Sequence, residues 1–479
     1  MDLSSSSRNL LYLVAGVMFI LGLKMLSHPR SAARGNLIGA AGMLLAIVVT
    51  LLDQRITSWT WIVVGIGAGS VAGVVMAVRV KMTAMPQMVA LLNGFGGIAS
   101  ALVVGGVLHD AIHLSAQSGA GIGATIVEPT GGDATQALIA LAASALIGAL
   151  TFTGSVLAFA KLQELFPGRP ITHVGIKIAN ALLGAIALAL CVYVVMNPGQ
   201  VWAFWLLVLV SSALGIGLVA PIGGADMPVV ISLLNSYSGL AAAATGFVIS
   251  NVGLIVTGAL VGASGLILTK IMCVGMNRSL TNVLFGVMAP AGAGAKADEV
   301  YAGRVKSAAA DEIAMLFDVA RRVVIVPGYG LAVSQAQHAV RDLMKVLESR
   351  GTSVEFAIHP VAGRMPGHMN ILLAEADIPY ERLKEMEETN VSIDQADVAV
   401  VIGANDVVNP SARDDPNSPI AGMPIIDVDK ARTVVVIKRS LSPGFAGIPN
   451  PLFAMDNCLM YFADGQKAVL DLVAAVKNL

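Results

Sequence analysis

The residues of this chain best suited to bind a ligand follow runs of apolar residues in its last third. The first group is Gly328-Tyr329-Gly330, which comes after four consecutive β-branched residues (323–326) and before Val333. A buried strand, a Gly-x-Gly turn and a helix open a dinucleotide-binding fold, because glycine lets the backbone approach a pyrophosphate at the helix N-terminus. An ordinary tight strand-to-helix turn has the same pattern, and Val333 replaces the third glycine of the fingerprint, so the turn alone leaves both interpretations open.

A second group of residues matches the chemistry of a phosphate monoester. Lys438-Arg439-Ser440 places two cations and a hydroxyl at the end of an apolar run, and such a set binds a dianion. An NAD site needs an acidic residue after the second strand, but residues 359–368 contain none and Glu355 lies too early. A solvated basic strand end would explain the cations alone. The missing carboxylate, which would repel a 2′-phosphate, therefore favours NADP.

The elements that position these groups alternate between apolar runs and helical patterns, which predicts a parallel sheet with helices on both faces. The predicted strands are 323–327, 354–359, 397–402, 424–428, 433–438 and 457–462, and the predicted helices are 331–348, 369–376, 380–388 and 466–478. Ligands of such folds bind at the carboxyl ends of the strands, where the turn-rich run Gly403-Ala404-Asn405-Asp406 also stands. We expect a soluble Rossmann-like domain over residues 312–479.

The first 280 residues have a different composition. They hold seven of the 31 carboxylates and twelve of the 30 basic residues, although the whole chain is 56% hydrophobic. Apolar runs long enough to cross a bilayer occur at 9–26, 36–52, 58–78, 85–108, 136–160, 176–195, 201–220, 228–247 and 250–272. We therefore expect a multi-domain chain: a polytopic α-helical membrane domain of about nine helices over 1–280, a flexible linker over 281–311, and the Rossmann-like domain.

Basic residues in the predicted loops set the expected orientation. They follow the first, third, fifth and ninth spans, whereas the opposite side has only Arg8 and Arg55 and the long loop 109–135 has none. The N-terminus is thus expected outside and the C-terminal domain in the cytoplasm. The first span lacks the basic start and the small-residue cleavage site of a signal peptide.

A few polar residues stand within or beside the predicted spans, where they are costly in lipid and usually face the bundle interior. Asn93, Ser155 and Asn235 lie inside spans, and Asp226 lies at a membrane border. Each amide or hydroxyl, taken alone, is also explained by a hydrogen bond between helices. Asp226, taken alone, is also explained as a helix cap. Their combination favours a polar pathway. Gly65, Gly69 and Gly73 recur every four residues, which predicts a face for close helix packing.

Composition also excludes several functions. A net charge of −1 argues against a nucleic-acid partner. Cys191, Cys273 and Cys458 share neither metal-ligand nor disulfide spacing, so no metal site is expected. A channel or transporter gated by a cytosolic NADP-binding domain is the alternative function. It would need a selectivity filter or a charged pore ring, and no such pattern occurs in the spans.

These motifs, in this order, resemble the β subunit of proton-translocating NAD(P) transhydrogenase. The resemblance rests on Pro327-Gly328-Tyr329-Gly330, residues 359–368, Gly403 to Asp406, Lys438-Arg439-Ser440 and Gly223-Gly224-Ala225-Asp226, and it covers the chain end to end. It implies hydride transfer between NADH and NADP⁺ coupled to proton movement across the inner membrane. It also implies an α subunit that binds NAD(H), and a dimer of αβ units.

The resemblance also implies roles for individual residues. Asp406 would lie near the nicotinamide as the candidate catalytic residue, and Asn93, Ser155, Asp226 and Asn235 would belong to the proton pathway and coupling region. Asn93 stands where some members have a histidine, and Phe445 stands where a tyrosine is frequent. With the Gly-x-Gly turn, the implied NADP(H) contacts are Gly328, Tyr329, Gly330, Val333, Val361, Ala362, Gly363, Arg364, Met365, Pro366, Gly403, Ala404, Asn405, Asp406, Gly422, Met423, Lys438, Arg439, Ser440, Gly444, Phe445, Asp464 and Gly465.

Overall fold

The structure is a computed structural model of the full chain, and it describes most of its residues. The described ranges are 5–26, 29–52, 59–80, 84–127, 132–163, 165–166, 174–285, 300–301, 303–364, 367–444 and 446–479. Residue contacts divide the chain into two compact units. One unit comprises Met1–Ile222 and Val230–Thr269, and the other comprises Gly223–Val229 and Lys270–Leu479.

Within the described ranges, nine helices are long and apolar enough to span a membrane, which confirms the predicted membrane domain. The N-terminal helices, including two short ones that do not span, are α1 (Ser5–Leu26), α2 (Pro29–Leu51), α3 (Trp59–Arg79), α4 (Met85–Ser118), α5 (Ile122–Val127), α6 (Ala134–Leu162), α7 (Val174–Met196), α8 (Val201–Val219), α9 (Met227–Val248), α10 (Val252–Gly275) and α11 (Leu280–Phe285).

Small residues bring some of these helices into backbone contact, but not the ones predicted. A Cβ at Gly97 of α4 would lie 2.6 Å from the carbonyl oxygen of Gly148 of α6. At Gly65, Gly69 and Gly73 of α3 a Cβ would meet nothing within 4 Å, and no residue of α3 is buried. The predicted packing face of α3 therefore has no neighbour among the described residues of this chain and stays a prediction, because that spacing permits close packing without supplying a partner helix.

The C-terminal domain forms a seven-stranded, all-parallel sheet with helices, which confirms the predicted parallel sheet although only six strands were predicted. The sheet order is β1-β7-β6-β5-β2-β3-β4. The elements are β1 (Lys306–Ser307), α12 (Ala310–Val319), β2 (Arg322–Pro327), α13 (Tyr329–Val333), α14 (Gln337–Ser349), β3 (Ser353–Ile358), α15 (His368–Glu375), β4 (Leu383–Glu385), α16 (Met386–Asn390), β5 (Val398–Ile402), α17 (Ser411–Asp414), β6 (Thr433–Lys438), β7 (Cys458–Phe462) and α18 (Gly465–Asn478).

The strand and helix predictions fail at three places. The predicted helix 331–348 is two helices, since Gln335 adopts a positive φ of 53° between α13 and α14. The predicted strand 424–428 is not a strand: Ile426 N donates to Val407 O and Asn390 binds Ile425 O, so side-chain and loop partners replace a ladder. The edge strands β1 and β4 are too short to show a period of two in the sequence: β1 lies within the predicted linker, and β4 replaces the middle of the predicted helix 380–388, which is therefore wrong.

Candidate dinucleotide-binding site

The order of the strands creates a crevice between β2 and β5. From β2 the chain proceeds outward through β3 to β4 and then returns to β5 on the opposite side of β2. Such a reversal separates the loops that follow the two central strands, and ligands of open parallel sheets bind there, beyond the carboxyl ends. Apart from the extra edge strand β1, this is the strand order of a Rossmann fold.

Two glycine-containing turns cross each other at this crevice. Gly328 N donates to Ile402 O and Gly330 N donates to Gly403 O, both at 2.9 Å. A Cβ at Gly330 would lie 2.6 Å from Gly403 Cα, and Gly403 itself has a φ of +63°. Side chains at these positions would force the turns apart, so glycine is required by backbone packing as well as by access to a ligand.

The loops that follow β2, β3, β5, β6 and β7 enclose a cavity of about 460 Å³, a volume in the range of small-molecule and cofactor sites. Most of the predicted contacts line it, although they come from five separate stretches of the chain. The predicted lining residues are Gly328, Tyr329, Gly330, Val333, Val361, Ala362, Gly363, Gly403, Ala404, Asn405, Asp406, Lys438, Arg439, Ser440, Gly444, Asp464 and Gly465.

Lys438 is the cation whose environment is most defined. Its Nζ donates to Asn405 Oδ1 (2.8 Å) and to Ser442 O (2.9 Å), and it lies 4.9 Å from the ring centroid of Phe453. Burial lowers the pKa of Lys438 to about 8, against the opposing attraction of Asp406. An ammonium has three donors, so these two bonds leave one for an anion in the cavity.

Asp406 is tied to the loop that follows β6. Its Oδ2 accepts from Ala446 N at 3.0 Å and its Oδ1 accepts from Asn405 Nδ2 at 3.0 Å. A Cβ at Gly444 would lie 2.5 Å from Asp406 Oδ1, so this loop packs directly on the carboxylate. The carboxylate thus connects the ends of β5 and β6 at the cavity wall.

Several predicted contacts lie elsewhere. Arg364 is absent from the cavity wall, but its guanidinium carbon stands 4.5 Å from the ring centroid of Tyr329, which is part of the wall. Gly422 and Met423 also do not line the cavity; Met423 packs in a small apolar cluster with Ala412 and Ile425. The predicted contacts Met365, Pro366 and Phe445 fall outside the described residues.

The two histidines of the loop after β3 have structural partners. His359 is buried and its Nε2 donates to Pro424 O at 2.8 Å, while Arg364 N donates to His368 Nδ1 at 3.0 Å. Burial lowers the pKa of His359, and burial together with the charge of Arg364 lowers the pKa of His368 to about 4. Both imidazoles are therefore neutral at physiological pH and position the loop rather than carry charge.

The predicted polar residues inside the first unit are buried to different degrees. Asn93 Nδ2 donates to Ile231 O at 3.2 Å, which joins α4 to α9. Ser155 is fully buried, and its Oγ has no hydrogen-bond partner among the described residues. Asn235 is half-buried on α9. Hydrogen bonding between helices thus accounts for Asn93, and the proton-pathway role of Ser155 and Asn235 stays a prediction.

Asp226 forms a buried ion pair that the sequence did not reveal. It lies in the 3₁₀ turn Gly224–Asp226 and is 4% exposed, and Arg278 Nη1 donates to both of its carboxylate oxygens at 2.8 and 2.7 Å. Burial raises the pKa of Asp226, while the charge and hydrogen bonds of Arg278 oppose that rise. The neighbouring Asn277 donates from Nδ2 to Ala421 O at 2.8 Å.

Comparison of the sequence with known proteins shows the family of this chain. Residues 8–475 fit the family model described as NAD(P) transhydrogenase beta subunit. The chain belongs to this family. A curated NAD(P) transhydrogenase subunit beta of Rhodospirillum rubrum is 48% identical over 466 residues, which cover 97% of this chain and 98% of that protein. The protein of the same name from a specified strain of that species gives the same figures.

For a transhydrogenase beta subunit, the structure adds lining residues that the sequence did not single out. Each lies within a few residues of a predicted contact, so proximity along the chain was the available signal. They are Ser334, Val407, Ile437, Ser442, Pro443 and Ala463. Ser334 matters most for packing, because a Cβ at Gly465 would approach its Oγ to 2.5 Å.

Proposed function

We propose that this chain is the NADP(H)-binding, proton-translocating β subunit of an NAD(P) transhydrogenase. The cavity beyond β2, β5 and β6 carries this proposal, because it combines a Gly-x-Gly turn with a phosphate-binding set of side chains. A bound nicotinamide cofactor supplies hydride transfer. The chain's own residues bind and orient that cofactor.

Charge distribution supports NADP(H) over NAD(H). Lys438, Arg439 and Ser440 stand together in the cavity wall, and the wall residues after β3 are Val361, Ala362 and Gly363, none of which is acidic. Glu355, the acidic residue nearest that strand end, instead binds Arg322 at 2.8 Å. A 2′-phosphate over β6 would meet two cations and no carboxylate from β3.

The residues present fit a dinucleotide. Crossing turns at Gly330 and Gly403 leave no side chain between the cavity and the backbone, as an approaching pyrophosphate requires. Asp406, fixed by Ala446 N, would orient the polar part of the cofactor beside the end of β5. We propose Asp406 as the catalytic residue of this site.

The cofactor proposal is tested by binding calorimetry on the full-length protein. Arg439→Ala removes a charged donor worth roughly 1.5–3 kcal/mol, so NADP⁺ affinity should fall about tenfold or more while NAD⁺ affinity stays unchanged. Arg432→Ala is the matched control, because Arg432 precedes the same strand at its opposite end and binds Asp397. Equal affinity of the unaltered protein for NAD⁺ and NADP⁺ would refute the assignment.

We further propose that proton movement acts through the Asp226–Arg278 pair. Protonation of Asp226 removes the charge that balances Arg278, and an unbalanced buried cation is costly. Arg278 directly follows Asn277, whose side chain binds the backbone just before Gly422. A change at the pair would thus reach a loop of the nucleotide-binding domain through two adjacent residues, which gives Gly422 and Met423 a role in coupling rather than in direct contact.

The proposed assembly follows from the family and the charge pattern. An α subunit would bind NAD(H), and two αβ units would form the complex in the inner membrane. The basic loops favour an N-terminus outside, and an odd number of spans then leaves the nucleotide-binding domain in the cytoplasm. Protease digestion of sealed vesicles of known sidedness tests this orientation. Cleavage of the C-terminal domain only from the cytoplasmic face is expected.

A further inference from the structure

Two histidines on successive turns of α4 form a pair that the proposed function does not use. The sequence His109-Asp110-Ala111-Ile112-His113 places the imidazoles four residues apart on one helix face. Their Nε2 atoms are 3.3 Å apart, and the rings meet edge to face with centroids 4.5 Å apart.

This separation equals the distance between two ligand nitrogens of a tetrahedral metal site. Two imidazole nitrogens bound to zinc at 2.0–2.1 Å with a tetrahedral angle between them lie about 3.3–3.4 Å apart. A direct hydrogen bond between the rings is the other arrangement with this distance, but it would be long and exposed to competing water. Paired histidines at this spacing on a helix are a known zinc-binding arrangement.

The pair is accessible. Helix α4 has 34 residues and is therefore about 51 Å long, whereas the hydrocarbon core is about 30 Å thick. His109 is the twenty-fifth residue of α4, so about 36 Å of helix precedes it. The side chain of His109 is 65% exposed, and it borders a cavity of about 260 Å³ that Trp205 of α8 also lines. The pair thus lies near the end of the helix that projects from the membrane.

Asp110 places a carboxylate beside the pair, since its Oδ1 is 4.0 Å from His109 Nδ1. No third histidine, cysteine or carboxylate completes a cluster within the described ranges. Two positions of a tetrahedral ion would therefore hold water, which corresponds to an open and exchangeable site rather than a structural one.

We propose that His109 and His113 bind a divalent transition metal ion of the imidazole-preferring class, with Zn²⁺ or Ni²⁺ as ligand. The site is independent of the NADP cavity and of the Asp226–Arg278 pair. Bound metal joins two successive turns of α4.

The test is Zn²⁺ binding to the purified full-length protein, measured by competition with a chromophoric chelator. His109→Ala and His113→Ala should each weaken binding by at least about tenfold, the loss typical even of an outer-sphere partner. Each variant should keep the NADP⁺ affinity of the unaltered protein. His338→Ala is the matched control, since His338 is exposed on α14 and has no histidine one turn away.

A variant with an unchanged histidine count separates chelation from general histidine affinity. His113→Ala/Leu114→His keeps two histidines but moves the second to a residue five positions from His109, on a different face of the helix, and it uses a position that is 53% exposed. This variant should bind Zn²⁺ as weakly as His113→Ala, whereas His113→Cys should retain binding. Undiminished affinity in the double variant, or in His109→Ala/His113→Ala, would overturn the proposal.

Discussion

The partly buried ammonium of Lys438 predicts a specific pH dependence of NADP⁺ binding. A cation that contacts the 2′-phosphate must be protonated, and burial lowers the pKa of Lys438 to about 8 in the protein. Phosphate raises that pKa in the complex, so binding takes up a proton above pH 8. At pH 9.5 only about one molecule in thirty carries the charge before binding. Affinity should therefore fall about thirtyfold between pH 7 and pH 9.5.

Two substitutions distinguish this charge from other effects of pH. Lys438→Arg keeps a cation that does not titrate in this range, so its affinity should be nearly constant from pH 7 to pH 9.5. Lys438→Met should bind NADP⁺ weakly at pH 7 and converge with the unaltered protein at high pH. Lys430→Met is the control, because Lys430 forms an exposed pair with Asp427 remote from the cavity wall.

Calorimetric titrations at four pH values suffice to measure these slopes. NAD⁺ serves as an internal reference, since it lacks the 2′-phosphate and should show no loss of affinity that depends on Lys438. Equal pH slopes for the unaltered protein and Lys438→Arg would refute the reasoning, because the titrating group would then lie elsewhere.

Three further predictions concern coupling, assembly and folding. Asp226→Asn should abolish proton pumping in vesicles and destabilise the protein by about 3–5 kcal/mol. Asp226→Asn/Arg278→Gln should recover the stability measured by denaturation but should not recover pumping. Normal vesicle acidification by either variant would contradict the coupling role. Membranes that contain only this chain should lack transhydrogenation until an α subunit is added, and full turnover without it would exclude the proposed division of labour. Gly330→Ala should lower the free energy of unfolding by about 1–3 kcal/mol and abolish NADP⁺ binding, since its Cβ would lie 2.6 Å from Gly403 Cα; unchanged stability would disprove the backbone packing argument.

The grouping of cavity residues was predictable because parallel strands end at one edge of their sheet. Gly328, Gly403 and Lys438 each follow an apolar run, and the carboxyl ends of β2, β5 and β6 bring them together as expected. Gly422 and Met423 do not follow a strand. They precede the run 424–428, which is not a strand, and they do not line the cavity. Sequence reasoning was thus most successful where a residue's position depends only on the end of a regular strand.

Hydrophobic composition by itself determined the membrane domain, and the alternation of apolar runs with helical patterns determined the parallel class of the sheet. Each span is recognisable because twenty apolar residues cross a bilayer regardless of their neighbours, and β-branched runs form buried strands wherever the sheet places them. Tertiary structure alone decided which helices pack closely through their small residues, which residue pairs with Asp226, and how His109 approaches His113 to 3.3 Å. Asp226 and Arg278 stand 52 residues apart, and no local pattern links two charges at that distance. Only the packed chain determines that burial leaves them with each other as counter-ions.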